Sequence, residues 1–285
     1  MYKAKIPAII ISVSFLPELL ISLIRGYVSL PGIQALVVCA FTGFLLYFFI
    51  TWFFLKKYQS SLKSYQIIGL VLIGLLIFQG PIRLFYFTPM LFTFPEFTSR
   101  LLGVFAGYCF YNRKVLIHKI NLSVSVLIIL FTCFYGYDLW MFNLDYGTYT
   151  GNVHSKGPNL LSLTYKDNDT LKKGKVTVMD FWFIGCVGCM EEFPEFQKIY
   201  STYKNNPNIQ FLAVDIPTRR DGDDDAFKIL SNEHYSFPMA KSTDMQFAKD
   251  LKIVVYPTII ILDKHGDVVY RGDAKGLPAK IKSLL

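Results

Sequence analysis

Charge is what this sequence has least of: Asp, Glu, Lys and Arg make up 18% of its 285 residues, against 53% hydrophobic. A chain this apolar is neither disordered, nor collagen-like, nor a small disulfide-stapled scaffold, and it is greasier than an ordinary soluble protein. Acidic residues are nearly missing from the first half. Residues 1–142 hold eleven Lys and Arg but only Glu18, Glu96 and Asp138, an excess of eight. Residues 143–285 hold 18 of each sign. The whole net charge of +8 therefore sits in the hydrophobic half. Basic residues there read as membrane-topology signals, not as phosphate contacts, so nucleic acid is not the expected partner. There is no internal repeat. Cysteine is sparse, at five, and histidine sparser, at four.

What is present in the first half is a series of long apolar runs: residues 6–24, 33–55, 65–80 (continuing past Pro81 and Arg83 to 87), 97–111 and 122–142. About 20 apolar residues cross the hydrocarbon core as a helix, so five spans are expected, the fourth being short and carrying Arg100. Pro17 and Glu18 interrupt the first run and no small-residue cleavage site follows, so it is expected as an uncleaved helix and not as a signal peptide. Lys3, Lys5, Lys56, Lys57, Lys63, Arg113, Lys114 and Lys119 fall on one side of this arrangement, and Arg25, Arg83 and Arg100 on the other. Eight against three fits an inside N-terminus. An odd number of crossings then carries the second half out of the cytoplasm.

Residues 143–157 are polar, contain three glycines and end at Pro158; they are expected as a linker. Beyond it, strands and helices alternate. Residues 176–183 and 209–216 read as buried strands, 189–203 as a helix, 224–232 and 243–251 as short helices, 258–263 and 268–271 as a hairpin, and 277–285 as a closing helix. Such alternation implies an α/β sandwich around a mixed sheet.

Two of the five cysteines form a motif, Cys186–Val187–Gly188–Cys189, where strand gives way to helix. A thiolate at a helix N-terminus faces unpaired backbone N–H groups and the positive end of the helix dipole, so its pKa falls and it becomes nucleophilic near neutral pH. A second cysteine one turn on can close a disulfide with it, and such a pair cycles by thiol–disulfide exchange. A structural zinc needs two more ligands; the other cysteines lie in the apolar runs and the histidines are scattered, so no metal site is expected. Cys39, Cys109 and Cys133 read as small apolar packing residues.

Residues 158–285 resemble the thioredoxin superfamily, and more closely its membrane-anchored TlpA/ResA-like branch. Three motifs carry the resemblance: Asp180–Phe181–Trp182 ahead of Cys186-x-x-Cys189; Cys189–Met190–Glu191–Glu192–Phe193–Pro194, similar to the C-x-x-E-x-P pattern of that branch; and Tyr256–Pro257–Thr258 before an apolar strand and a glycine turn. The apolar runs imply an α-helical multi-span membrane domain (1–142) followed by the linker, and the resemblance, which does not extend to that half, implies an α/β thioredoxin-like domain with a mixed sheet flanked by helices (158–285). It implies Cys186 as attacking thiol, Cys189 as resolving thiol, Asp180 and Glu192 as buried acids that move a proton, and Pro257 as a cis proline. Tyr256 would offer its backbone to an extended substrate, and Trp182 would border the substrate site. It further implies a bacterial cytoplasmic-membrane protein whose domain faces the extracytoplasmic side. Its partners would be exported cysteine-containing proteins and a redox donor or acceptor. The sulfurs carry the electrons, so no dissociable cofactor is expected. Gly185 stands where thioredoxins usually carry Trp, and Asp180 is commonly Asn in the TlpA branch. Two other functions fit less of the sequence. One is a copper metallochaperone-like module, which in this fold resembles a longer C-x-x-x-C spacing. The other is a transmembrane electron relay through the intramembrane cysteines, for which no second C-x-x-C is present.

Overall fold

The computed structural model describes residues 2–27, 33–158, 163–165, 171–218, 221–222, 225–243 and 245–285. Two compact units divide the chain, Met1–Met141 and Phe142–Leu285.

The first unit is a helix bundle: α1 (Tyr2–Tyr27), α2 (Ile33–Tyr58), α3 (Ser64–Phe85), α4 (Phe94–Tyr111) and α5 (Leu116–Phe131), with α5 running through a π-turn at Thr132–Gly136 into α6 (Tyr137–Tyr146). Four segments are long and apolar enough to cross a membrane, Lys5–Arg25, Ile33–Tyr58, Ser64–Phe85 and Leu116–Tyr146. The fourth expected span is α4, an 18-residue helix outside that set; Glu96 and Arg100 lower its hydropathy, and both are buried. Arg100 is therefore not a loop charge, and the tally of basic residues becomes eight against two.

Contacts set the helix directions. The Tyr47 hydroxyl of α2 donates to Ser14 O at 2.9 Å, while Cys39, earlier in α2, lies against Ile21, later in α1. Helices α1 and α2 are thus antiparallel. On α3, Gly74 abuts Ile11 and Ser14, and Gln79 donates to Glu18 at 2.5 Å, so α3 runs with α1. On α4, Gly103 lies on Phe44 and Gly107 on Phe48 and Thr51, so α4 runs with α2. Small residues let such helices approach backbone to backbone. Outward faces are apolar, with Leu16, Phe49, Ile77 and Leu127 exposed.

The second unit is a seven-stranded mixed sheet in the order β1-β7-β6-β3-β4-β5-β2. Its strands are β1 (Asn152–Ser155), β2 (Leu163–Tyr165), β3 (Val176–Trp182), β4 (Ile209–Asp215), β5 (Met239–Ser242), β6 (Thr258–Leu262) and β7 (Val268–Gly272). Strand β3 pairs in parallel with β4 and antiparallel with β6. It is buried along its whole length because both faces are covered, which is why it reads as one apolar run. Helices α7 (Val187–Tyr203), α8 (Asp225–Asn232) and α10 (Leu277–Leu284) pack on one face; α9 (Gln246–Asp250) packs on the other. Expected and observed elements differ in three places. The segment 143–157 carries the end of α6 and the strand β1, which pairs with β7. Strands β1, β2 and β5 have three or four residues each, too few for a period to register. Helix α9 is five residues long, not nine. Asp224 and Asp244, each placed in a helix by the pattern, lie outside the described residues.

Candidate functional site

The site is built where β3 ends and α7 begins. Side chains alternate along β3: Val176, Val178 and Trp182 join the core under α7, and Met179 and Phe181 join the core on the opposite face. Asp180 therefore points toward α7. Past Gly185, whose φ of +89° is in the region that favours glycine, Cys186 becomes the N-cap of α7. Cys186 and Cys189 form a disulfide with Cα atoms 5.3 Å apart. The Cys186 sulfur also accepts from the Cys189 backbone N–H at 3.2 Å. Cys189 is fully buried and Cys186 is 6% exposed, so Cys186 is the outer residue of the pair. A 17-residue helix stands behind the Cys186 sulfur, with its unpaired N–H groups aimed at it.

The Tyr256–Pro257 bond is cis. A Cβ on Gly188 would lie 3.5 Å from Pro257 Cδ, which places this proline beside the disulfide turn. Tyr256 is half-buried and stacks edge-on with Phe183, ring centres 5.3 Å apart. Val187 and Val254 are exposed. Trp182, expected at the border of the substrate site, is instead 1% exposed and packs edge-to-face on Phe193. Alternation along β3 turns it into the core, so it supports α7 and offers no surface to a substrate.

Among the described residues of this unit two carboxyls, Asp180 and Asp215, are buried and a third, Glu192, is partly buried. Asp180 is fully buried, and neither of its oxygens has a hydrogen-bond partner among the described residues. Burial holds its pKa well above the ordinary carboxylate range, and the neighbouring Glu192 pushes it the same way. Glu192, on α7, is raised to about 7, first by burial and then by Asp273 and Glu195; the Ala274 N–H, donating at 3.3 Å, and Lys275 oppose the rise. The two expected acids thus lie close enough to interact. Sequence reasoning missed Asp215, which pairs across the sheet with Trp182, is 1% exposed and has both oxygens unpartnered among the described residues. Burial and Asp221 raise it to about 6 against Lys241. The signal was there: an acid closes the apolar run that precedes it in β4.

Residues 174–268 match the family model described as thioredoxin-like. Sporulation thiol-disulfide oxidoreductase A of Bacillus subtilis is 22% identical over 96 residues, covering 34% of this chain and 58% of the relative. Thiol-disulfide oxidoreductase ResA of Bacillus thuringiensis subsp. konkukian is 29% identical over 98 residues, covering 34% of this chain and 54% of the relative. The chain thus spans about half the length of these curated relatives. Among solved structures, a putative thiol-disulfide oxidoreductase from Bacteroides vulgatus is 25% identical, with a TM-score of 0.36 over 40% of this chain and 80% of that one.

Proposed function

With residues 174–268 forming a thioredoxin-like domain, we propose that the protein is a membrane-held thiol–disulfide oxidoreductase that exchanges electrons with exported proteins through Cys186 and Cys189. One observation carries this reading: a disulfide whose outer sulfur caps α7, seated beside a cis proline. In the reducing direction, the Cys186 thiolate attacks one sulfur of a substrate disulfide, a mixed disulfide forms, and the first substrate thiolate leaves. Cys189 then attacks the Cys186 sulfur, the second substrate thiolate leaves, and the pair ends as a disulfide having given up two electrons. The oxidising direction is the reverse. The buried Cys189 must lose a proton to attack and regain one when reduced. Asp180 and Glu192, both kept protonated to higher pH by burial, are the groups that exchange it. The backbone before Pro257 presents an extended edge to the substrate chain.

The bundle supports a location as well. Helix α4 runs in the direction of α2, its charges are enclosed, and 18 residues rise about 27 Å, close to the hydrocarbon thickness. Counted as a crossing, it makes five, and an inside N-terminus then puts the thioredoxin-like domain outside the cytoplasm of a bacterium. Full-length protein carrying Cys189→Ala tests the function. It should accumulate mixed disulfides between Cys186 and exported proteins in the membrane fraction. No trapped partner, with Cys186 freely alkylated, would overturn the reading.

A further inference from the structure

Glu192 is held by the loop that follows β7. Its Oε2 accepts from the Ala274 N–H at 3.3 Å, and its Oε1 has no partner among the described residues. That loop is pinned by Tyr270, whose hydroxyl donates to Asp273 O at 2.9 Å and whose ring is 2% exposed. Glycines box the ring. A Cβ on Gly151 would come within 2.3 Å of it, and a Cβ on Gly272 or Gly276 within 2.5 or 2.3 Å of its hydroxyl. Gly151 precedes β1, has φ +77°, and accepts from the Arg271 N–H at 2.9 Å. Any side chain at 151 would displace the ring and would also be strained.

We propose that Tyr270 is a positioning residue for Glu192 and that Gly151, in the segment ahead of the thioredoxin-like core, seats it. A hydroxyl one residue from Ala274 fixes the direction of the N–H that the carboxylate uses. The Ala274 donor favours the charged form of Glu192 against burial and against the like charges of Asp273 and Glu195; Lys275 assists, and Asp180 and the Tyr146 and Tyr270 hydroxyls border the same group. Loosening the loop weakens that donor and leaves Glu192 harder to ionise. The inference rests on the proton-exchange role given to Glu192 above.

The test uses full-length protein, reduced and in detergent, and follows the alkylation rate of Cys186 by peptide-resolved mass spectrometry from about pH 5 to about pH 9. Wild type should show a step besides that of the thiol itself, and Glu192→Gln should remove it. Tyr270→Phe keeps the ring and loses the hydrogen bond; it should move the step up by about half a pH unit. Gly151→Ala should move it the same way. Gly174→Ala is the control: φ is also positive, but the added Cβ meets nothing within 4 Å, and the step should stay in place. Should Gly151→Ala not fold, Tyr270→Phe decides alone. A step that Glu192→Gln removes and Tyr270→Phe leaves unmoved overturns the positioning role while sparing the function. A wild-type profile with no Glu192 step overturns both the role of Glu192 and this inference.

Discussion

Glu192 is worth following first as a single side chain. Its folded-state pKa, about 7, lies above the ordinary value of 4.5. The folded protein therefore holds a proton that the unfolded chain has released, between those two values. The cost of burying this one group is nil below about pH 4.5, grows as pH rises toward 7, and is level above. Glu192→Gln should thus stabilise the thioredoxin-like unit by on the order of 1–3 kcal/mol at pH 8 and change little at pH 4. Pulse proteolysis of the full-length protein at the two pH values measures it, and an equal gain at both would sink the linkage. At this scale the motif residues were legible: a C-x-x-C at a strand–helix junction, an acid in an apolar strand, an acid one turn past Cys189. Asp215 left a weaker signal, an acid within the apolar strand 209–216 with no motif beside it. Its place opposite Trp182 in the sheet and its burial are visible only in the fold. Trp182 was misplaced because proximity in sequence to Cys186 says nothing of which face of β3 it occupies.

At the scale of the element, α7 begins between two glycines with opposite requirements. Gly185 has φ +89° and open space around it, whereas Gly188 lies in the first turn with an ordinary contact to Pro257. Gly185→Ala should cost about 1 kcal/mol through backbone strain alone. Gly188→Ala should gain about 0.5–1 kcal/mol, because a helical position loses less entropy with alanine and the methyl group fits. Thermal unfolding of the two variants separates them, and the same sign for both would refute the contrast. Long elements were readable from pattern: 23 uncharged residues at 33–55, or the apolar strand ahead of Cys186. The strands of three or four residues were not, since their places are fixed by pairing across the sheet. Helix α4 shows the same limit in the bundle: its Glu96 and Arg100 speak against a span until the helices that enclose them are known.

Across the whole molecule, polarity is turned inward in one unit and buried at a redox turn in the other. Arg100 lies 3.2 Å from both Glu18 and Glu96, Arg25 closes on Glu96, and Tyr47 and Gln79 donate to Glu18. These charges alternate in sign and are drawn from α1 and α4, with hydroxyl and amide support from α2 and α3. Removing the middle of such a chain leaves Glu18 with no cation beside it among the described residues and Glu96 with Arg25 alone. Arg100→Leu should therefore destabilise the bundle by about 3–5 kcal/mol, and adding Glu18→Gln and Glu96→Gln should recover part of it. Protease resistance of the solubilised protein reads this out, and no recovery in the triple variant would argue against it. A membrane-impermeant maleimide applied to intact, reduced cells should label Cys186, as five crossings require; four would leave it unlabelled. The pairing of β1 with β7 has one more consequence, for anyone who would cut the protein. A fragment begun at Pro158, where the sequence suggests a boundary, would lose β1 and Gly151 together. The outer rim of β7 would be left with unpaired N–H and C=O groups, ready to zip onto a neighbouring molecule. Soluble material that behaves as a monomer has to start upstream of Gly151.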